Sequence, residues 1–238
     1  MRNRLLNLIK NNLSAEKKFE VHGADTDTPE IFLYDAIGDW FGIGADDFVK
    51  ALRDLKGRDV SLRIDSPGGD VFEARAIATA VAQHDGKITA HIDGLAASAA
   101  TYIATAADNV VIAPGAFFMI HNAWTLAFGN ADDLDDISVL LRKVDDTIVN
   151  DYIQKTGLED KQLRDWMKAE TWFNSDAAVQ HGFADSLAET KRNSSNRWNL
   201  AAYSNAPAAL LASQKPTEPQ YDRGLAERRL GLLERTAA

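Results

Sequence analysis

From about Glu30 onward this chain alternates short apolar runs with helix-period stretches, punctuated by glycine-bearing turns, and that order limits its fold more than any other feature. Residues 31–34 read as a strand, 44–55 as a helix with Phe48, Val49, Leu52 and Leu55 on one face, and 60–64 as a second strand. A turn at Ser66-Pro67-Gly68-Gly69-Asp70 leads into a helix reaching about Gln83, and residues 87–92 read as a third strand. Strands separated by helices lie parallel through right-handed crossovers, so the order predicts an α/β fold with a largely parallel sheet. Ligands of such sheets sit beyond the carboxyl ends of the strands. Two glycine-bearing turns, 66–70 and 94–98, fall at such ends.

Beyond Ser98 comes a small-residue helix (Ala99, Ala100, Ala104, Ala106, Ala107), then strands at 110–112 and 117–120 joined across Pro114-Gly115. Residues 132–156 carry Leu134, Ile137, Leu140, Leu141, Val144, Ile148 and Ile153 at helical spacing, Gly157 ends that helix, a second covers 159–167, and a third runs from Ser175 to Gly182. The expected organisation is a lead-in over 1–28, a compact domain over 29–189 and a flexible basic tail over 190–238 that ends in a leucine-bearing segment (Leu225, Leu230, Leu232, Leu233).

Charge follows the same division. From Lys191 onward there are 8 basic against 4 acidic residues, and before it 18 against 31. An acidic body repels nucleic acid and anionic membranes, so neither is an expected partner. No apolar run approaches the ~20 residues of a membrane-spanning helix, and charges interrupt residues 1–10, so neither a span nor a signal peptide is expected and a cytoplasmic location is. The absence of cysteine removes disulfides, cysteine zinc sites and thiol nucleophiles.

The nucleophile must then be a hydroxyl at a strand-to-helix turn with a histidine in reach. Ser98 fits: its neighbours Ala97, Ala99 and Ala100 are small, and at a helix start its own amide and the next are free for an oxyanion. The alternative use of Ser98 is as a helix N-cap. His121 ends the apolar run 117–120, a suitable place for a base. His22, His84 and His181 read as surface or capping residues and His91 as a core residue. No histidine pair has metal-ligand spacing, so no metal is expected.

Three motifs in order, Asp65-Ser66-Pro67-Gly68-Gly69, Gly94-Leu95-Ala96-Ala97-Ser98 and Met119-Ile120-His121-Asn122, together with 173–185, resemble the ClpP family of serine peptidases over about residues 30–187. The resemblance implies a ClpP/crotonase-like fold of repeated β-β-α/βαβ units, with 132–156 as the ring-contact helix of a homo-oligomer. It makes Ser98 the nucleophile and His121 the base, with one of Gly68 or Gly69 joining Ala99 in the oxyanion hole, and has an extended protein substrate add as a strand at 66–69 without any cofactor. The family's third member, an aspartate, matches Glu170, and Asp165 is the nearby alternative.

The stretch Ala169-Glu170-Thr171-Trp172-Phe173 and the variable tail are most similar to phage head-maturation (prohead) proteases. That implies an ATP-independent serine endopeptidase acting on scaffold or capsid proteins. A serine peptidase at high local concentration meets neighbouring tails, so a cut between about Lys191 and Arg223 is expected, with an inert extension as the alternative. A cellular ClpP-like or signal-peptide-peptidase-like protease, an acyl-CoA enzyme and a catalytically inactive ring-forming protein are the alternatives.

Overall fold

In the computed structural model, which describes residues 4–13, 18–125, 127–189 and 198–212, the alternating runs become one mixed sheet flanked by helices. In chain order the elements are α1 (Arg4–Asn12), β1 (Lys18–His22), β2 (Glu30–Tyr34), α2 (Ala45–Asp54), β3 (Val60–Ser66), α3 (Val71–Ala82), β4 (Ile88–Ala97), α4 (Ala100–Thr105), β5 (Asn109–Ile112), β6 (Phe117–Ile120), α5 (Ala131–Thr156), α6 (Asp160–Lys168), β7 (Thr171–Asn174), α7 (Ser175–Gln180), β8 (Ser186–Leu187) and α8 (Ala208–Ala212). Strands β2, β3, β4, β5 and β8 run parallel in that order, and β1 adds antiparallel to β2. The α/β fold with a mostly parallel sheet and a long helix is therefore present.

Strand β4 is ten residues long and changes partners along its length. Residues Thr89–Ile92 of it pair with β5, whereas Leu95, Ala96 and Ala97 pair with β6. Against β3, Ile64 faces Ile92 but Ser66 faces Ala96, an irregularity that advances β4 and carries Ser98 beneath the turn that follows β3. Strand β7 then returns antiparallel to β6, with Ile120 opposite Thr171.

One core, including Phe48, Ile64, Ile77, Ile92, Ile103, Phe118 and Phe183, fills the space between sheet and helices. A second lies around the ends of β4 and β6, where Leu95, Ala97 and Met119 meet Leu8, Trp198, Leu200, Ala202 and Tyr203. Here the structure departs from the expected organisation. Residues 18–22, read as lead-in, form a strand, and residues 198–212, read as flexible tail, bury Trp198 and Leu200 completely. The segment Leu225 to Leu233 lies outside the described residues.

Helix α5 starts with a reciprocal capping box between Asn130 and Asp133, with Asp132 and Asp133 at the positive end of its dipole, and stops at Gly157 in the left-handed region. Its C-terminal half buries Ile148, Val149 and Tyr152, while Leu134, Val139 and Leu140 in its N-terminal half are exposed. Among the described residues no helix is long and apolar enough to cross a membrane.

Candidate functional site

Ser98 is placed by the end of β4. Its amide donates to the Met119 carbonyl at 2.9 Å, its carbonyl accepts from the Thr101 amide at 2.9 Å, and its backbone has φ 54°, in the left-handed region. This corrects one expectation, because the Ser98 amide is consumed by β6 and is not free for an oxyanion. The N-cap of α4 is Ala99 without a side-chain cap, so the Ser98 hydroxyl does not serve the helix. Instead it meets His121, with Oγ and Nε2 2.7 Å apart.

His121 sits where β6 ends, and the loop after it is pinned to two helices. Asn122 donates its amide to the Met167 carbonyl at 3.2 Å, and the Asp145 carboxylate of α5 accepts from the Asn122 side chain at 2.6 Å and the Ala123 amide at 2.8 Å. The imidazole packs edge-on against Trp124 and Tyr203, with ring centres 4.3 and 5.5 Å away. Burial, and then the nearby Arg4 guanidinium, push the His121 pKa down to about 3, so the ring is neutral and can accept a proton from Ser98.

Gly68 lies over Ser98, and Gly69 beside it faces another way. A side chain on Gly68 would begin 2.8 Å from Ser98 Cβ and 3.1 Å from the Ala99 nitrogen, so only glycine lets the backbone close over the nucleophile. Gly69, by contrast, approaches the loop after β2, where a Cβ would lie 2.0 Å from the Ile37 carbonyl oxygen. Gly68 and Ala99 are thus the two residues brought together beside Ser98.

Glu170 follows α6 with φ 52° and is 6% exposed. The last pair of the β6–β7 ladder is Ile120 with Thr171, so Glu170 and His121 are the residues immediately beyond it on the two segments. The two side chains nevertheless make no hydrogen bond. Glu170 Oε1 accepts from the Asn205 amide at 2.6 Å, Oε2 lies 3.6 Å from Arg4, and both Oε2 and His121 Nδ1 are buried without a hydrogen-bond partner. Asp165, the alternative acid, is on the exposed side of α6 in an ion pair with Lys161 at 2.6 Å and takes no part in the site.

The groups that hold Glu170 and cover the pair come from α1 and residues 198–205. Trp198 donates its indole N–H to Asp65 at 3.0 Å, and the Tyr203 hydroxyl donates to the Pro67 carbonyl at 2.6 Å. The start and the middle of the 65–69 motif are thereby tied to the chain beyond residue 197. Burial raises the Tyr203 phenol above its ordinary range, the neighbouring Ser98 hydroxyl opposes that, and the Glu170 charge adds to it. Sequence reasoning passed over these residues, although a tryptophan and a tyrosine within an otherwise Asn-, Ser- and Ala-rich stretch are not what a solvated linker carries. Among the described residues no group of three His, Asp or Glu is arranged to hold a metal.

Residues 16–191 match the family model described as Clp protease. Similar proteins include the ATP-dependent Clp protease proteolytic subunit of Deinococcus radiodurans, 26% identical over 138 residues that make up 57% of this chain and 67% of that one. The subunit of the same name from Dehalococcoides mccartyi is 24% identical over 189 residues, 78% of this chain and 94% of that one. Among solved structures, a ClpP1 mutant from Listeria monocytogenes has the same fold, with a TM-score of 0.62 at 21% identity, covering 71% of this chain and 94% of that one.

Proposed function

Because the chain belongs to the Clp protease family, whose members are serine peptidases, we propose that it hydrolyses peptide bonds through an acyl-enzyme on Ser98. The 2.7 Å contact between Ser98 Oγ and His121 Nε2 carries this reading. In the proposed sequence Oγ bonds the scissile carbonyl carbon as its proton passes to Nε2, and the oxyanion is received by the amide of Ala99 and by that of Gly68, which leaves the Ser66 hydroxyl it donates to at 3.2 Å in the resting chain. Collapse breaks the C–N bond, and the Nε2 proton leaves with the amine. Water then repeats the two steps and frees the acid product. Glu170 is the acid that steadies the imidazolium, from its place beside His121 just beyond the last pair of the β6–β7 ladder.

Reaction with a small fluorophosphonate, read by mass, tests the assignment: Ser98 is labelled in the full chain, and no label enters Ser98→Ala. Ser98→Ala and His121→Ala each lose peptide hydrolysis by several orders of magnitude. Glu170→Gln keeps the fold and loses most of the turnover. Hydrolysis that survives in Ser98→Ala free of contaminating protease ends this reading.

We propose further that the substrates are phage scaffold or capsid proteins cut during head assembly without ATP, on the resemblance carried by residues 169–173. The relatives above are named as ATP-dependent subunits, so the distinguishing measurement is degradation of an unstructured protein by the purified chain without nucleotide or unfoldase. Activity there supports the ATP-independent reading. Activity only with a nucleotide-driven unfoldase assigns the chain to the cellular mode instead.

A further inference from the structure

We infer that residues 198–205, clasped by α1, are an intramolecular inhibitor of the Ser98–His121 pair, which holds Glu170 away from His121 and occupies the strand-adding edge meant for a peptide. The inference rests on the reading of Ser98 as nucleophile.

Three buried side-chain atoms among the described residues have no hydrogen-bond partner: His121 Nδ1, Glu170 Oε2 and Trp172 Nε1. All three belong to the ring of side chains around Tyr203, since Trp172 and His121 pack on that phenol with ring centres 5.6 and 5.5 Å away and the Glu170 charge reaches it. Buried polar atoms without partners are rare in a settled native arrangement, and a cluster at one place marks an arrangement that has a better-satisfied alternative. The alternative is visible in the register. Glu170 immediately precedes β7 and His121 immediately follows β6 at the end of their ladder, and an Oε2 to Nδ1 hydrogen bond would satisfy two of the three atoms at once. What opposes it is the segment together with α1, because the Asn205 amide of the segment takes Oε1 at 2.6 Å and Arg4 of α1 draws Oε2 from 3.6 Å.

The same segment takes what a substrate would use. An extended peptide adding at 66–69 needs the Pro67 carbonyl as an acceptor, and the Tyr203 hydroxyl already occupies it at 2.6 Å. Arg4 closes the clasp by bonding the Ser204 hydroxyl and lying over the Trp124 ring at 5.4 Å. Segment and peptide therefore compete for one edge, and release of the segment both opens the approach and lets Glu170 turn to His121.

The test uses the full chain and compares rates of Ser98 labelling by a small fluorophosphonate and of hydrolysis of an unstructured peptide. Asn205→Pro removes the amide that holds Glu170, and Arg4→Ala removes the clasp at an exposed position. Each is expected to raise both rates tenfold or more. A purely structural segment gives the opposite sign, because loosening it disturbs the site. Should either variant melt far below the parent, Tyr203→Phe keeps the ring packing and removes only the hydroxyl on Pro67, with a several-fold rise expected. Equal or slower labelling in the folded variants, with Ser98 still labelled in the parent, overturns the inhibitor and leaves the nucleophile standing. Absence of label on Ser98 in the parent and in every variant overturns both.

Discussion

Ser98 and Glu170 share a backbone property that has nothing to do with their side-chain chemistry. Among the described non-glycine residues only they and Lys56 have positive φ, at 54°, 52° and 55°. A left-handed backbone at a residue with a Cβ costs roughly 1–2 kcal/mol, and such strain collects where a site must aim a side chain. Ser98→Gly is therefore expected to be about 1 kcal/mol more stable to urea than Ser98→Ala, although both lack the hydroxyl. His121 supplies the pH dependence at this scale. Its folded pKa is pushed down to about 3, and an unfolded histidine titrates near ~6.5. Between those values the unfolded chain binds a proton that the folded ring refuses, so stability is fully present above ~6.5 and falls as pH drops from there toward 3. Urea titrations are expected to lose about 2 kcal/mol between pH 6.5 and 5 through this residue, and His121→Gln flattens that slope.

Individual elements were legible from sequence where a period was long enough to be seen. The reading of 132–156 as a helix meets α5 at Ala131–Thr156, and the run 117–120 is β6, because each is apolar in a pattern its neighbours reinforce. The meeting of Ser98 and His121 was legible for a similar reason, since each follows an apolar run at a turn and the structure places each just after a strand. Strand β1 was not, since Phe19 and Val21 alternate with Glu20 and His22 over only five residues in polar surroundings, and its pairing with β2 is tertiary. The segment 198–205 has no period at all. Its anchors Trp198 and Tyr203 find Asp65 and Pro67 across 133 and 136 residues, a separation that no local window spans. Nor did the spacing reveal that the amide of Ser98 is spent on Met119, because that depends on how β6 lies against β4. For α5 the element-scale expectation concerns its start. The Asn130 side chain accepts from the Asp133 amide at 3.1 Å and Asp133 returns the bond, so Asn130→Ala is expected to cost about 1 kcal/mol in thermal or urea unfolding while leaving peptide hydrolysis intact.

At the scale of the whole molecule, α5 leaves work undone in a monomer. Leu134, Val139 and Leu140 are 45 to 47% exposed on a helix that buries only Ile148, Val149 and Tyr152, the arrangement of a surface that wants a partner. The family to which the chain belongs assembles into homo-oligomeric rings. Native mass spectrometry or light scattering at micromolar concentration is expected to find an oligomer, and Leu140→Asp to shift it toward smaller species. A monomer alone in the unaltered chain would count against the use of this face.

The pairing of Asn12 with Asn199 has a kinetic side. The Asn12 amide donates to the Asn199 carbonyl at 3.0 Å and its oxygen accepts from the Asn199 amide at 2.7 Å, bonds that span 187 residues. They close a loop around nearly the entire sheet, and loop-closure entropy makes such contacts late to form and early to break. During synthesis Leu8 leaves the ribosome some 190 residues before Trp198, its neighbour in the second core, so at 5–20 residues per second α1 waits on the order of ten seconds or more for its partner. In that interval the sheet and the Ser98–His121 pair can form uncovered. In the finished chain the same topology makes α1 and residues 198–205 one cooperative opening unit. Their amides are expected to exchange with solvent together, well before those of β3 and β4, and separate exchange of the two would show that the loop is not closed as one.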